Sequence, residues 1–133
     1  MKWKIDASCL PSHYCVEVTG QVTVSEYIRV WQELFADPQW APGSCVLLDI
    51  RKRIMDSPVA AEFRERLLDL FTVNRNIADH CNIAVLCDSG HHYTRQTFSY
   101  ALKLRGFSVN LQYFHDKAAA EDWLLRICHE ATA

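Results

Sequence analysis

Ser44-Cys45-Val46-Leu47-Leu48-Asp49-Ile50 is a nearly continuous apolar run with one acidic residue near its end. Such a run is typical of a central strand that is covered on both faces. A helix start follows at Ser57-Pro58, because serine is a favoured N-cap and proline suits the first helical position. A doubly covered strand that leads into a helix predicts an α/β domain.

Strand and helix patterns alternate on both sides of this run. The spacing predicts strands over 3–7, 14–19, 44–50, 82–87 and 108–114. Helices are predicted to begin after the capping-box residue Thr23, after the N-cap Ser57, at Tyr93 and after Asp116. The order β-β-α-β-α-β-α-β-α predicts a mostly parallel five-stranded sheet with an N-terminal antiparallel hairpin strand and four helices. No linker is visible, so residues 1–133 are interpreted as a single domain.

The bulk composition excludes several classes of protein. The chain has 133 residues and a net charge of −2, which gives no basic surface for nucleic acid. No apolar run approaches the ~20 residues that a membrane span needs. The first residues lack the apolar core of a signal peptide. These features predict a cytoplasmic protein.

Six cysteines are scattered through the sequence, at positions 9, 15, 45, 81, 87 and 128. None forms a C-x-x-C pair, and several lie inside apolar runs. Reduced cysteine behaves as a small hydrophobic residue. The spacing therefore favours six reduced, mostly buried thiols, in agreement with a reducing compartment.

Several stretches together resemble the STAS domains, and more closely the small SpoIIAA-like subfamily. Two of them weigh most, namely a strand that ends in Tyr113-Phe114 and a capped helix that contains Trp123-Leu124. The other stretches are the hairpin that ends at Gly20, the helix start at 22–26, the loop at 36–43 and the strands at 46–51 and 83–86. The resemblance covers nearly the whole chain and rests mainly on structural motifs.

The resemblance implies a binding or regulatory module rather than an enzyme. In phospho-switched members, an Asp-Ser-Ser-Gly type motif opens a helix, and its second serine is phosphorylated. The matching stretch here is Asp56-Ser57-Pro58, in which proline stands at the phosphoacceptor position and the glycine is missing. This departure argues against a phospho-switch, and helix capping explains Ser57 by itself.

The carboxyl edge of the predicted sheet is where a binding site is expected. The candidate partner-binding or ligand-binding residues at this edge are Asp49, Arg51, Asp56, Ser57, Ser89 and His91. An ion pair between Asp49 and Arg51 is one structural interpretation of the first two.

No catalytic residue, metal ligand or cofactor is predicted. Seven residues separate Cys87 from Arg95, whereas a cysteine-phosphatase loop has five, so that loop is not supported. The adjacent His91 and His92 would point in different directions on a helix, so they do not form a metal-binding pair.

Two functions remain open. The first is a non-catalytic regulatory or protein-interaction module with an unidentified protein partner. The alternative is a carrier that binds a small apolar ligand or lipid between a helix and the sheet. The alternating final strand allows a homodimer through an exposed sheet edge, and a dimer through helices is equally open.

Overall fold

The computed structural model describes residues 1–10, 13–88 and 92–132 of the chain. These residues form one sheet with the strand order β1-β2-β3-β4-β5. β1 and β2 are antiparallel, and the remaining neighbours are parallel. The predicted mixed sheet is therefore confirmed, with β5 at its edge. The strands are β1 (Lys2–Leu10), β2 (His13–Gln21), β3 (Cys45–Ile54), β4 (Asn82–Leu86) and β5 (Asn110–Phe114).

All four predicted helices are present, and a fifth helix of one turn follows the second. The extra turn arises because Asn74 ends one helix and caps the next, and its side chain donates to the Leu70 carbonyl at 2.9 Å. Within the described ranges, no helix is both long and apolar enough to cross a bilayer. The helices are α1 (Val24–Ala36), α2 (Ser57–Val73), α3 (Arg75–Ala78), α4 (His92–Leu104) and α5 (Lys117–Thr132).

The helices cover the sheet in two layers. The larger core joins α1, α2 and α4 to one face of the sheet, and Val46, Leu48 and Val85 contribute from the strands. A smaller cluster joins α5 to the other face through Leu47 and Leu124. Both faces of β3 and β4 are thus buried, which explains why their sequences are apolar without alternation.

The start of α1 differs in detail from a capping box. Thr23 is the N-cap, as predicted, but its hydroxyl donates to the Glu26 carboxylate at 2.8 Å and caps no backbone N–H. Val22 and Tyr27 are both buried, as a hydrophobic staple requires. The helix start is therefore fixed mainly by apolar packing.

β3 extends four residues beyond its predicted end and contains an irregularity. Glu17 pairs with Asp49 and Thr19 pairs with Lys52, so β3 advances three residues while β2 advances two. An inserted residue of this kind reverses the side-chain alternation of a strand. Consequently Asp49 lies on the α5 face, whereas Arg53 reaches Tyr27 of α1 on the opposite face.

The prediction of six reduced cysteines is wrong for two of them. Cys15 and Cys45 are each disulfide-bonded. Cys81 and Cys87 are buried and form no disulfide, and burial raises the pKa of Cys81 to about 12.

Candidate functional site

Asp49 and Arg51, two of the predicted site residues, form a bidentate ion pair on β3. Arg51 Nη2 donates to Asp49 Oδ2 at 2.9 Å, and Arg51 Nε donates to Oδ1 at 3.1 Å. An ion pair between these two residues was one structural interpretation of the sequence, and the structure contains it. Arg51 is part of the strand and not of a loop, which corrects the predicted strand end.

The charge state of Asp49 follows from this pair. Burial raises the pKa of the Asp49 carboxyl, but the Arg51 hydrogen bonds and the positive charges of Arg51 and Lys117 outweigh it. The net effect holds the pKa of Asp49 below its ordinary value. A carboxylate held in this way is a weak general base at neutral pH.

Replacing Arg51 with glutamine should make stability less dependent on acidic pH. A lowered pKa means that Asp49 stabilises the fold above its unfolded pKa, about 3.9, and that this stabilisation is lost as the pH falls through the folded pKa. The variant should be less stable at pH 7 by about 0.2–1 kcal/mol, because Arg51 is 41% exposed.

Urea unfolding near neutral pH and near pH 3 tests this expectation. The difference between the wild type and Arg51→Gln should shrink at the acidic pH, whereas the exposed neighbour Lys52→Gln should give no such change. A difference that stays constant or grows on acidification would contradict the role assigned to the pair.

The other predicted site residues do not join this pair. α2 begins at Ser57 with Asp56 as its N-cap, one residue earlier than predicted, and the Asp56 carbonyl accepts the Ala60 N–H at 2.9 Å. Asp56 precedes a helix on the face opposite α5. The Ser57 side chain and the residues Ser89 and His91 lie outside what the structure describes.

A polar pocket of about 280 Å³ lies beside the Asp49 carboxylate on the α5 face. Both acidic and basic side chains line it, including Glu17, Lys117 and Glu121. Among residues 1–10, 13–88 and 92–132, no group of three His, Cys, Asp or Glu side chains could hold a metal ion. This pocket therefore offers mixed charges and no organised donor set.

An apolar cavity of about 100 Å³ lies on the opposite face, between the helix layer and the sheet, and is partly open to solvent. Its walls come from α1, α2 and α4 and from strands β3, β4 and β5, and they are mostly aliphatic and aromatic. Two arginines, Arg53 and Arg64, are the cationic members of the lining. The sequence patterns indicated the general position of such a site, between a helix and the sheet, but none of its residues.

One wall of the cavity is an ordered aromatic stack. The Tyr27 and Phe63 rings are parallel within 3°, with centroids 4.0 Å apart. Arg53 Nη1 donates to the Tyr27 hydroxyl at 3.1 Å, and its guanidinium lies 5.7 Å from the Tyr27 ring centroid. Burial raises the pKa of Tyr27 against the opposing effect of Arg53, so the hydroxyl stays protonated at neutral pH.

The exposure pattern near the end of β3 reflects the irregularity that positions Arg53. The consecutive residues Arg51 and Lys52 are both exposed, whereas a regular strand would alternate. The inserted residue moves the next side chain, that of Arg53, to the other face.

Comparison with known proteins bears on the fold. No protein-family model matches this chain, and no curated protein matches it. A similar solved structure is an uncharacterised protein of the DUF3478 family, with a SpoIIAA-like fold, from Shewanella loihica PV-4. The two chains share 16% identity with a TM-score of 0.58, and the alignment covers 92% of each. This likeness confirms the predicted SpoIIAA-like, STAS-type fold and shows the fold alone.

Proposed function

We propose that this chain is a non-catalytic binding protein that holds a small apolar ligand between its α1–α2 layer and the sheet. The observation that carries this function is the apolar cavity of about 100 Å³ on that face. Protein cores normally contain few voids larger than a water molecule. A ligand in the cavity would restore the dispersion contacts that its lining lacks.

The shape and the lining of the cavity favour a compact ligand. An enclosed apolar cavity of roughly 150 Å³ holds a molecule the size of benzene. A cavity of about 100 Å³ that opens to solvent suits a short aliphatic chain whose other end reaches the surface. A whole membrane lipid would exceed this space.

The non-catalytic part of the proposal rests on the state of the polar groups. The Asp49 carboxylate is held by Arg51 on the α5 face, away from the cavity. The buried Cys81 thiol has a pKa of about 12, so it is not a nucleophile at neutral pH. Binding without turnover is the function that suits these groups.

Native mass spectrometry combined with calorimetric titration of 1-hexanol tests this function. We expect either a co-purifying small molecule or, for the apo protein, saturable binding of hexanol with a dissociation constant of roughly 0.1–1 mM. A clean apo mass together with no saturable binding would overturn the carrier.

The regulatory or protein-interaction module is the second candidate. Tyr100 and Leu104, one turn apart on α4, are 65% and 70% exposed, and exposed apolar neighbours are typical of an interaction surface. Replacing both Tyr100 and Leu104 with glutamate should abolish the binding of a protein partner that co-purifies with the wild type from the cells that express it. Retention of every such partner by the variant would remove this candidate.

A further inference from the structure

We infer that the ligand of the cavity is a small apolar monocarboxylate, whose chain lies among the aromatic and aliphatic walls and whose carboxylate is bound by Arg53, Arg64 and the Trp31 indole N–H. This inference rests on the proposed function and adds the chemical class of the ligand. It follows from three polar groups that line one apolar cavity.

The two arginines bring positive charge to the lining of the cavity. Both line it and both are half-buried. In the part of the chain that the structure describes, neither forms an ion pair with a carboxylate. The guanidinium of Arg53 donates to the neutral Tyr27 hydroxyl and lies near the Tyr27 ring. Half-buried cations beside apolar walls favour an anion as the missing partner.

Trp31 supplies an independent observation. Its side chain is 2% exposed and lines the same cavity, yet its indole N–H has no hydrogen-bond partner among the described residues. Trp40, which is also buried, by contrast donates to the Ile77 carbonyl at 2.8 Å. Buried donors are normally satisfied, so the Trp31 N–H is explained by an acceptor that arrives with the ligand.

These groups are connected through Tyr27. Trp31 lies one helical turn after Tyr27 on α1, and Arg53 binds the Tyr27 hydroxyl. The Tyr27 ring stacks on Phe63 of α2, the helix from which Arg64 lines the same cavity. The irregularity in β3 is what brings Arg53 to this face. The donors therefore belong to one structural unit around a single aromatic wall.

The chemistry of the donors selects a carboxylate. A guanidinium and an indole N–H are both pure donors, so the ligand group must be an acceptor. The planar arginine fork matches carboxylate and phosphate alike. A singly charged carboxylate costs less to desolvate beside apolar walls than a doubly charged phosphate, and its chain occupies the cavity that the walls enclose.

Calorimetric titration of the full-length protein with hexanoate, 1-hexanol and hexylammonium tests the inference. Hexanoate should bind about 10–100-fold more tightly than hexanol, as expected for hydrogen bonds to a charged group. Hexylammonium should bind more weakly than hexanol. Equal affinities for hexanoate and hexanol would overturn the carboxylate while leaving the apolar carrier intact, and no binding of any probe would overturn both.

Arg64→Gln is the decisive variant, with Arg66→Gln as its control. Arg66 is exposed on the same helix and is not part of the cavity lining. Arg64→Gln should weaken hexanoate binding about tenfold and hexanol binding by a much smaller factor, whereas Arg66→Gln should change neither. Unchanged hexanoate binding by Arg64→Gln would contradict the assignment.

Trp31→Phe distinguishes the contribution of the indole N–H from that of the aromatic ring. Phenylalanine keeps an aromatic side chain at this position and removes the N–H. The variant should lose several-fold in hexanoate affinity, and its thermal unfolding shows whether it is folded. A folded Trp31→Phe protein that binds hexanoate as tightly as the wild type would remove Trp31 from the site.

Discussion

Replacing Phe71 with alanine is expected to lower the free energy of unfolding by about 3–5 kcal/mol, a large share of the stability of a domain of this size. Phe71 is fully buried on α2. Its ring contacts Trp31 and Phe35 of α1, Phe98 of α4 and Phe107, with centroid distances from 5.4 to 6.2 Å. Four aromatic neighbours cannot all move into the space that the ring would leave.

The matched control is Val73→Ala, because Val73 lies two residues further along the chain and is 82% exposed. Its replacement should change the free energy of unfolding by less than about 0.5 kcal/mol. Urea unfolding of both variants gives the comparison. A loss below about 1 kcal/mol for Phe71→Ala would mean that this aromatic cluster does not hold α1, α2 and α4 together.

Replacing Ala60 with leucine is expected to weaken ligand binding strongly without lowering stability. Ala60 lines the apolar cavity from α2. A larger side chain at this position would therefore fill the space that the ligand occupies. Hexanol and hexanoate should both bind at least about tenfold more weakly. Filling a cavity commonly adds about 0.5–2 kcal/mol to stability, so the melting temperature should stay constant or rise.

Ala61→Leu provides the control on the same helix, since Ala61 is exposed and does not line the cavity. It makes the same chemical change one residue away and should alter neither hexanol nor hexanoate binding. Wild-type affinity in Ala60→Leu would show that the ligand lies elsewhere.

Much of the fold was predictable because burial leaves a local signature in the sequence. The unalternating apolar run before Asp49 indicated a doubly covered strand, and the structure places it in the middle of the sheet. The alternation that ends at Phe114 indicated either an edge strand or a strand with one wet face, and β5 lies at the edge. The extra turn α3 was missed because one residue, Asn74, both ends a helix and begins the next.

The candidate site was harder to predict because it depends on strand register and on packing between layers. The pairing of Asp49 with Arg51 is local, two residues apart, and could be inferred from the sequence. The position of Arg53 depends on an irregularity opposite Glu17 and Thr19, which only the paired strand defines. A cavity is a volume that side chains fail to fill, and no pattern along one chain records it.

The most direct measurement is the indole region of a two-dimensional ¹H–¹⁵N NMR spectrum during titration with hexanoate. The Trp31 resonance, assigned through Trp31→Phe, should move strongly as its N–H gains an acceptor. The Trp3 and Trp40 resonances should hardly move, because their N–H groups already donate to Glu33 and to the Ile77 carbonyl. A Trp31 resonance that stays fixed while hexanoate reaches saturation would contradict a binding site in this cavity.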